Sequence, residues 1–194
     1  MSNRMLPVER LAFTRADGTQ VLPRALIALL TVLVGSLALA ASARIQVPFW
    51  PVPMTMQFAV TLLIGASCGP RLAAATLGAY LLEGALGLPV FASGAGLVYM
   101  AGPTGGYLAG FFAAAVIAGM AAEAGLFARL STALAAMVVA TAALYALGLG
   151  WLIVGIGLAP AKAVAVGLVP FLPAEALKIA LATAGALQLH RRRG

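Results

Sequence analysis

Charge is what this chain of 194 residues has least of. Asp, Glu, Lys and Arg make up 9% of it, whereas 63% is hydrophobic. Residues 84–122 and 130–161 carry no charged side chain at all. A water-facing domain of this length needs far more surface charge, so a soluble globule is excluded. There is one cysteine, Cys68, which excludes an internal disulfide and any multi-cysteine metal site. The one histidine, His190, sits in a basic stretch near the C-terminus, where no histidine–carboxylate metal cluster can be assembled. No G-x-x-x-x-G-K-[ST] pattern occurs, so the chain has no P-loop and any ATP hydrolysis belongs to another chain. Period-two alternation is not sustained anywhere, which argues against spanning strands.

What remains is apolar and rich in Ala, Leu and Gly. A helix satisfies its own backbone groups in hydrocarbon, so the sequence predicts an all-α polytopic membrane protein with six transmembrane helices. The expected spans are 25–43, 54–68, 72–88, 104–122, 132–152 and 173–189, with Pro173 tolerated at a helix start. Around them, 1–23 reads as a polar cytoplasmic segment, 24–190 as the membrane domain and 191–194 as a basic cytoplasmic tail. With six spans, Arg4, Arg10, Arg15, Arg24, Arg71, Arg129, Arg191, Arg192 and Arg193 fall on one side and only Arg44 and Lys162 on the other. That bias makes both termini cytoplasmic in a multi-pass protein of the inner (plasma) membrane. The net charge of +7 is then mostly topology, and the basic groups are too scattered for nucleic acid. Residues 4–43 also have the layout of a signal peptide, but the apolar run exceeds the usual ~7–15 residues of a signal core.

Charges inside a bilayer are costly, so each one is a candidate site. Glu83, Glu175 and Lys178 qualify. Glu175 and Lys178 are three apart, on one face of the last helix. One reading is an internal ion pair that lets both enter the membrane. The other is a divided site, with Lys178 meeting an anion and Glu175 accepting from ligand N–H groups. The connectors expected outside are re-entrant or structured: Pro/Trp-rich after the first helix (Pro48 to Gln57), Pro/Phe/Gly-rich after the third (Pro89 to Pro103), and Pro/Phe-rich before the sixth (Val169 to Pro173). Fixed φ angles and wide rings suit a rigid wall over a small ligand. Trp50 and Tyr107 can serve as such walls or as interfacial anchors. On helix one, the spacing of Ser36 with Ala40 and of Ala38 with Ser42 permits close approach of another helix, or plain internal packing.

The motifs Val52-Pro53-Met54-Thr55-Met56-Gln57, Gly87-Leu88-Pro89-Val90-Phe91, Gly102-Pro103-Thr104-Gly105-Gly106-Tyr107 and Pro173-Ala174-Glu175-x-x-Lys178 occur in order. In these the chain resembles the BioY family, the biotin-binding membrane components of energy-coupling-factor transporters, from about residue 25 to 190. The resemblance implies a high-affinity biotin-binding subunit with an outward-opening pocket, capped by residues 48–57. It implies two kinds of partner, an integral coupling protein and a pair of cytoplasmic ATPases, with Ser36, Ala38, Ala40 and Ser42 docking the coupling protein. Biotin suits the candidates: Lys178 for its carboxylate, Glu175, Glu83 or Gln57 for its ureido ring, and Trp50, Phe91 and Tyr107 for its apolar parts. The family usually has Asp where this chain has Glu175. Of the other classes, an autonomous ion-coupled small-molecule carrier would use Glu83 as a proton site. An intramembrane enzyme lacks a nucleophile with its base, or a metal site, and no cofactor is expected.

Overall fold

The computed structural model describes residues 23–191. The expected segment 1–23 and the tail beyond Arg191 therefore lie almost wholly outside the described residues. The first helix, α1, is Arg24–Ala43, entered from Pro23. A two-stranded antiparallel ribbon follows, β1 (Gln46–Val47) with β2 (Met54–Thr55), pairing Gln46 with Thr55 and Val47 with Met54. Pro48, Pro51 and Pro53 have no N–H to give, so the ladder ends after two residues per strand. The second span accordingly starts at Gln57 rather than Met54.

Helix α2 is Gln57–Ala85 and contains both the second and third expected spans. It is broken at Gly69, whose φ of 77° and ψ of 170° only glycine adopts freely, and Pro70 follows without a donor. Gln57 Nε2 donates to Tyr80 Oη at 2.5 Å. In an unbroken helix those residues would stand roughly 34 Å apart at 1.5 Å per residue. The element is therefore a hairpin of two antiparallel arms, 57–68 and 70–85. Next come α3 (Gly96–Ala101), α4 (Gly105–Glu123), a 3₁₀ turn at Leu126–Ala128 and α5 (Leu130–Val154). Then α6 (Pro160–Gly167), a 3₁₀ turn at Val169–Phe171 and α7 (Leu172–Arg191) complete the described residues. The short α3 and α6 lie in connectors, outside the six expected spans.

Among the described residues, five helical segments are long and apolar enough to cross a membrane: Ala25–Ala43, Gln57–Ala85, Gly105–Glu123, Leu130–Val154 and Pro160–Arg191. The protein is an all-α multi-pass membrane protein, and the fold-back within α2 makes its bundle one of six rods. Successive rods alternate in direction. One end of the bundle collects 69–71, 124–129 and Arg191; the other collects 44–56, 86–104 and 155–171.

Helix α4 lies between the α2 hairpin and α5. Lipid tails supply no hydrophobic drive between helices, so close approach has to hold them. Gly65 lets the first arm meet Ala115 and Ala118, and Gly110 faces Leu144. At the hairpin tip, a Cβ on Gly119 would fall 2.5–2.7 Å from backbone atoms of Gly69 and Pro70. Helix α1 packs chiefly on α2 and is otherwise largely exposed. Ser36 Oγ donates to Glu83 Oε2, a polar tether between the two helices. Ser36 and Ser42, expected on a docking face, are in fact buried; Ser42 Oγ donates to Leu39 O at 2.8 Å. A hydroxyl on a lipid-bathed helix turns to the nearest acceptor, across the interface for Ser36 and within its own helix for Ser42. Ala38 is exposed and Ala40 half-buried.

Candidate functional site

The ribbon folds down over the end of the bundle as a lid. Val52, at the tip between its prolines, is only 4% exposed and belongs to the core that includes Phe58, Tyr107 and Tyr145. Beneath it lie two narrow lobes, each with a cavity volume of about 30 Å³. Both are lined by Val52, Pro53, Thr55, Tyr107 and Phe111, so they are adjoining parts of one lidded cleft. Each is far smaller than a small-ligand site, so with the lid down the cleft is shut and has to open to admit a ligand.

The first lobe is the ionic one. Its wall holds Glu175 and Lys178 beside Phe58, Leu144, Tyr145 and Phe171. Pro170 in the preceding turn and Pro173 in the first turn of α7 set that helix's entry, which places both charges within its first two turns. Lys178 Nζ donates to Glu175 Oε1 at 2.8 Å, and each residue is 4% exposed. The other carboxylate oxygen, Glu175 Oε2, is buried with no hydrogen-bond partner. The Tyr145 hydroxyl stands near that carboxylate without the geometry of a hydrogen bond. The arrangement is one buried acceptor waiting for a donor, next to an ammonium with two of its three protons to give. Both readings of the Glu–Lys spacing thus hold together: the residues are paired, and a cleft lies beside them.

The second lobe is walled by Gln57, Phe91, Ala92, Tyr99, Thr104 and Leu108. Gln57 Oε1 accepts from Thr55 Oγ1 at 3.1 Å while its Nε2 donates to Tyr80. Phe91 stacks on Tyr99 with ring centres 5.2 Å apart and meets Tyr80 edge-on at 5.5 Å. Gly84 supplies the room for the Phe91 ring, since a Cβ there would run into it. Tyr107 divides the cleft. Its hydroxyl donates to Gly167 O at 2.8 Å, and its ring lies edge-on to Tyr145 at 6.1 Å. Gly148 leaves space for that ring.

Five of the seven sequence candidates, Lys178, Glu175, Gln57, Phe91 and Tyr107, therefore line the cleft. The other two do not. Trp50 is 81% exposed on the outside of the ribbon, and Glu83 is occupied with Ser36 at the α1–α2 interface. Sequence reasoning passed over Tyr145, Phe58 and Phe111. Tyr145 had a usable signal, a phenol in the middle of a charge-free apolar helix; Phe58 and Phe111 had none. Among the described residues no group of His, Cys, Asp and Glu could hold a metal ion.

A family model described as the BioY family matches residues 13–194. The chain is 37% identical over 155 residues to the biotin transporter BioY of Thermotoga maritima, covering 77% of this chain and 87% of that one. It is 36% identical over 141 residues to the probable biotin transporter BioY of Pyrococcus horikoshii, covering 72% and 82%. In fold it is similar to the crystal structure of the S-component for biotin from an ECF-type ABC transporter, with a TM-score of 0.73 at 20% identity over 88% of this chain and 92% of that one.

Proposed function

The chain belongs to the BioY family, and on that footing we propose that it is the biotin-binding S-component of an ECF-type transporter, a transport component and not an enzyme. The observation that carries the site is Glu175 Oε2, a buried carboxylate oxygen without a donor in the wall of a lidded cleft. An orphaned buried acceptor is expensive, and a ligand N–H group relieves it. Biotin's ureido ring offers two such groups. Its carboxylate is an acceptor for Lys178, whose Nζ turns from exclusive pairing with Oε1 to share itself with the ligand. The fused rings and alkyl chain are apolar and suit Phe58, Phe111, Tyr107 and Tyr145. Gln57 and Phe91 bound the far lobe. Glu83 is outside the cleft, which leaves one carboxylate, one ammonium and one ligand anion to be balanced there. Trp50 and Glu83 are left out of the binding set.

The cleft end carries Arg44 and Lys162, and the opposite end carries Arg71, Arg129 and Arg191. By the basic-residue rule the cleft faces outward and both termini lie in the cytoplasm. Delivery then falls to partners: an integral coupling protein meeting the exposed side of α1 around Ala38 and Ala40, and two cytoplasmic ATPases. The ion-coupled alternative loses its proton site, because Glu83 is engaged at a helix interface instead of a ligand cleft. Titration of the purified chain, alone in nanodiscs, with radiolabelled biotin tests the reading. Saturable binding at one site, displaced by unlabelled biotin, is expected; absence of binding by a folded chain refutes it.

A further inference from the structure

The carbonyls in the wall of the second lobe are held by side chains from other segments. Residues 89–92 form no regular structure, yet three of their carbonyls accept hydrogen bonds. Arg44 Nη2 donates to Pro89 O, Tyr80 Oη to Val90 O at 3.0 Å, and Gln46 Nε2 to Ala92 O at 3.2 Å. Two of these donors come from the start of the lid, Arg44 just before β1 and Gln46 within it. The third ends a relay. Thr55 Oγ1 donates to Gln57 Oε1, Gln57 Nε2 donates to Tyr80 Oη, and Tyr80 Oη donates to Val90 O. A carbonyl can only accept and an amide NH₂ can only donate, so the relay's direction from lid to wall is fixed. Between the clamped carbonyls sits Phe91, which is buried and faces the cleft.

We propose that Tyr80 is a positioning residue that couples the lid to the Phe91 wall, so that closing the lid over a ligand also sets the far wall of the cleft. The proposal rests on the biotin reading above. Tyr80 lines neither lobe. It touches the cleft through Gln57 on one side and through Val90 and the Phe91 ring on the other. Its phenol is the one group able to accept from Gln57 and donate to Val90 at once. Phenylalanine keeps the ring contact with Phe91 and cuts the relay in the middle.

The test is Tyr80→Phe in the full chain, read by biotin association and release and by amide hydrogen exchange in nanodiscs. In the parent, biotin slows exchange in 46–55 and in 90–92 together. In Tyr80→Phe the lid is still protected by biotin, the wall is not, and release speeds up by about five- to tenfold, the worth of one net hydrogen bond, with association unchanged. Gln46→Ala removes a different clamp through an exposed side chain, and it loosens 90–92 with release about threefold faster. Equal protection of 90–92 in parent and Tyr80→Phe, with equal release rates, overturns the proposal. So does uniformly faster exchange throughout α4 and α5, which marks Tyr80 as a packing residue only. If the parent binds no biotin, the functional reading fails while the clamp is still scored. Faster exchange of 90–92 in ligand-free Tyr80→Phe supports the clamp, and identical exchange refutes it.

Discussion

Replacing Lys178 with methionine keeps the unbranched side chain to within one atom and removes its charge, which isolates what the ammonium contributes. In the protein Lys178 Nζ is 2.8 Å from Glu175 Oε1, and both residues are almost fully buried. Loss of a charge-assisted hydrogen bond to the ligand costs about 1.5–3 kcal/mol. At ~1.4 kcal/mol per decade that raises the Kd for biotin by about 10- to 150-fold. The same substitution strands Glu175, and breaking a buried pair from one side costs about 3–5 kcal/mol of stability. Adding Glu175→Gln removes the stranded charge, so the double variant recovers most of the thermal stability without recovering affinity. The decisive assay compares biotin with its neutral carboxamide by equilibrium binding. The parent prefers the anion; Lys178→Met treats the two alike. If Lys178→Met still prefers biotin to the amide, the ammonium does not hold the carboxylate and the assignment is wrong.

Three further outcomes follow from the packing. Gly119→Ala meets the backbone of Gly69 and Pro70, which cannot yield, and lowers stability by about 1–3 kcal/mol; Gly78→Ala meets nothing within 4 Å and raises it by about 0.5–1 kcal/mol. Thermal unfolding in detergent checks the opposite signs, and equal shifts would contradict the hairpin's seating on α4. Tyr107→Phe leaves Gly167 O without its donor and costs about 1–3 kcal/mol in the same assay; an unchanged melting temperature would mean that the bond adds nothing. Ala38→Leu enlarges an exposed spot on α1, so biotin binding by the chain alone stays at the parental level while ATP-driven uptake with the coupling protein falls. Loss of both, or of neither, argues against docking at Ala38.

Much of this architecture is legible in the chain because lipid imposes strict rules on it. Long charge-free runs have few alternatives to helices, and intramembrane Glu175 and Lys178 stand out by their cost alone. The hairpin in α2 is partly legible: separate spans are expected at 54–68 and 72–88, and the break at Gly69-Pro70 falls between them. What the pattern could not say is which polar side chains face one another. Ser36 and Glu83 are 47 residues apart and meet because α1 lies against the second arm of α2. From spacing alone Ser36 reads as part of a small-residue docking stripe and Glu83 as a ligand contact, although each is the other's partner. Trp50 misleads for a related reason. Its neighbours Val52, Pro53 and Thr55 turn into the cleft, but Trp50 lies in the bend between β1 and β2, where no strand periodicity says which way a side chain points.

The same limit explains why the carbonyl clamp on 89–92 left no trace in the motifs. Its acceptors are backbone atoms, which carry no side-chain signature. Its donors, Arg44, Gln46 and Tyr80, read one at a time as a topology charge, a loop polar residue and an interior aromatic. Gly87-Leu88-Pro89-Val90-Phe91 marks the wall as rigid, yet rigidity there comes from elsewhere: a proline fixes only its own φ, and the position of Phe91 over the cleft depends on three side chains from other segments. A motif can thus identify the surface that meets a ligand while remaining silent about what holds that surface in place. For this cleft the silent part is the proposed link between lid and wall, and it runs through a residue that lines neither lobe.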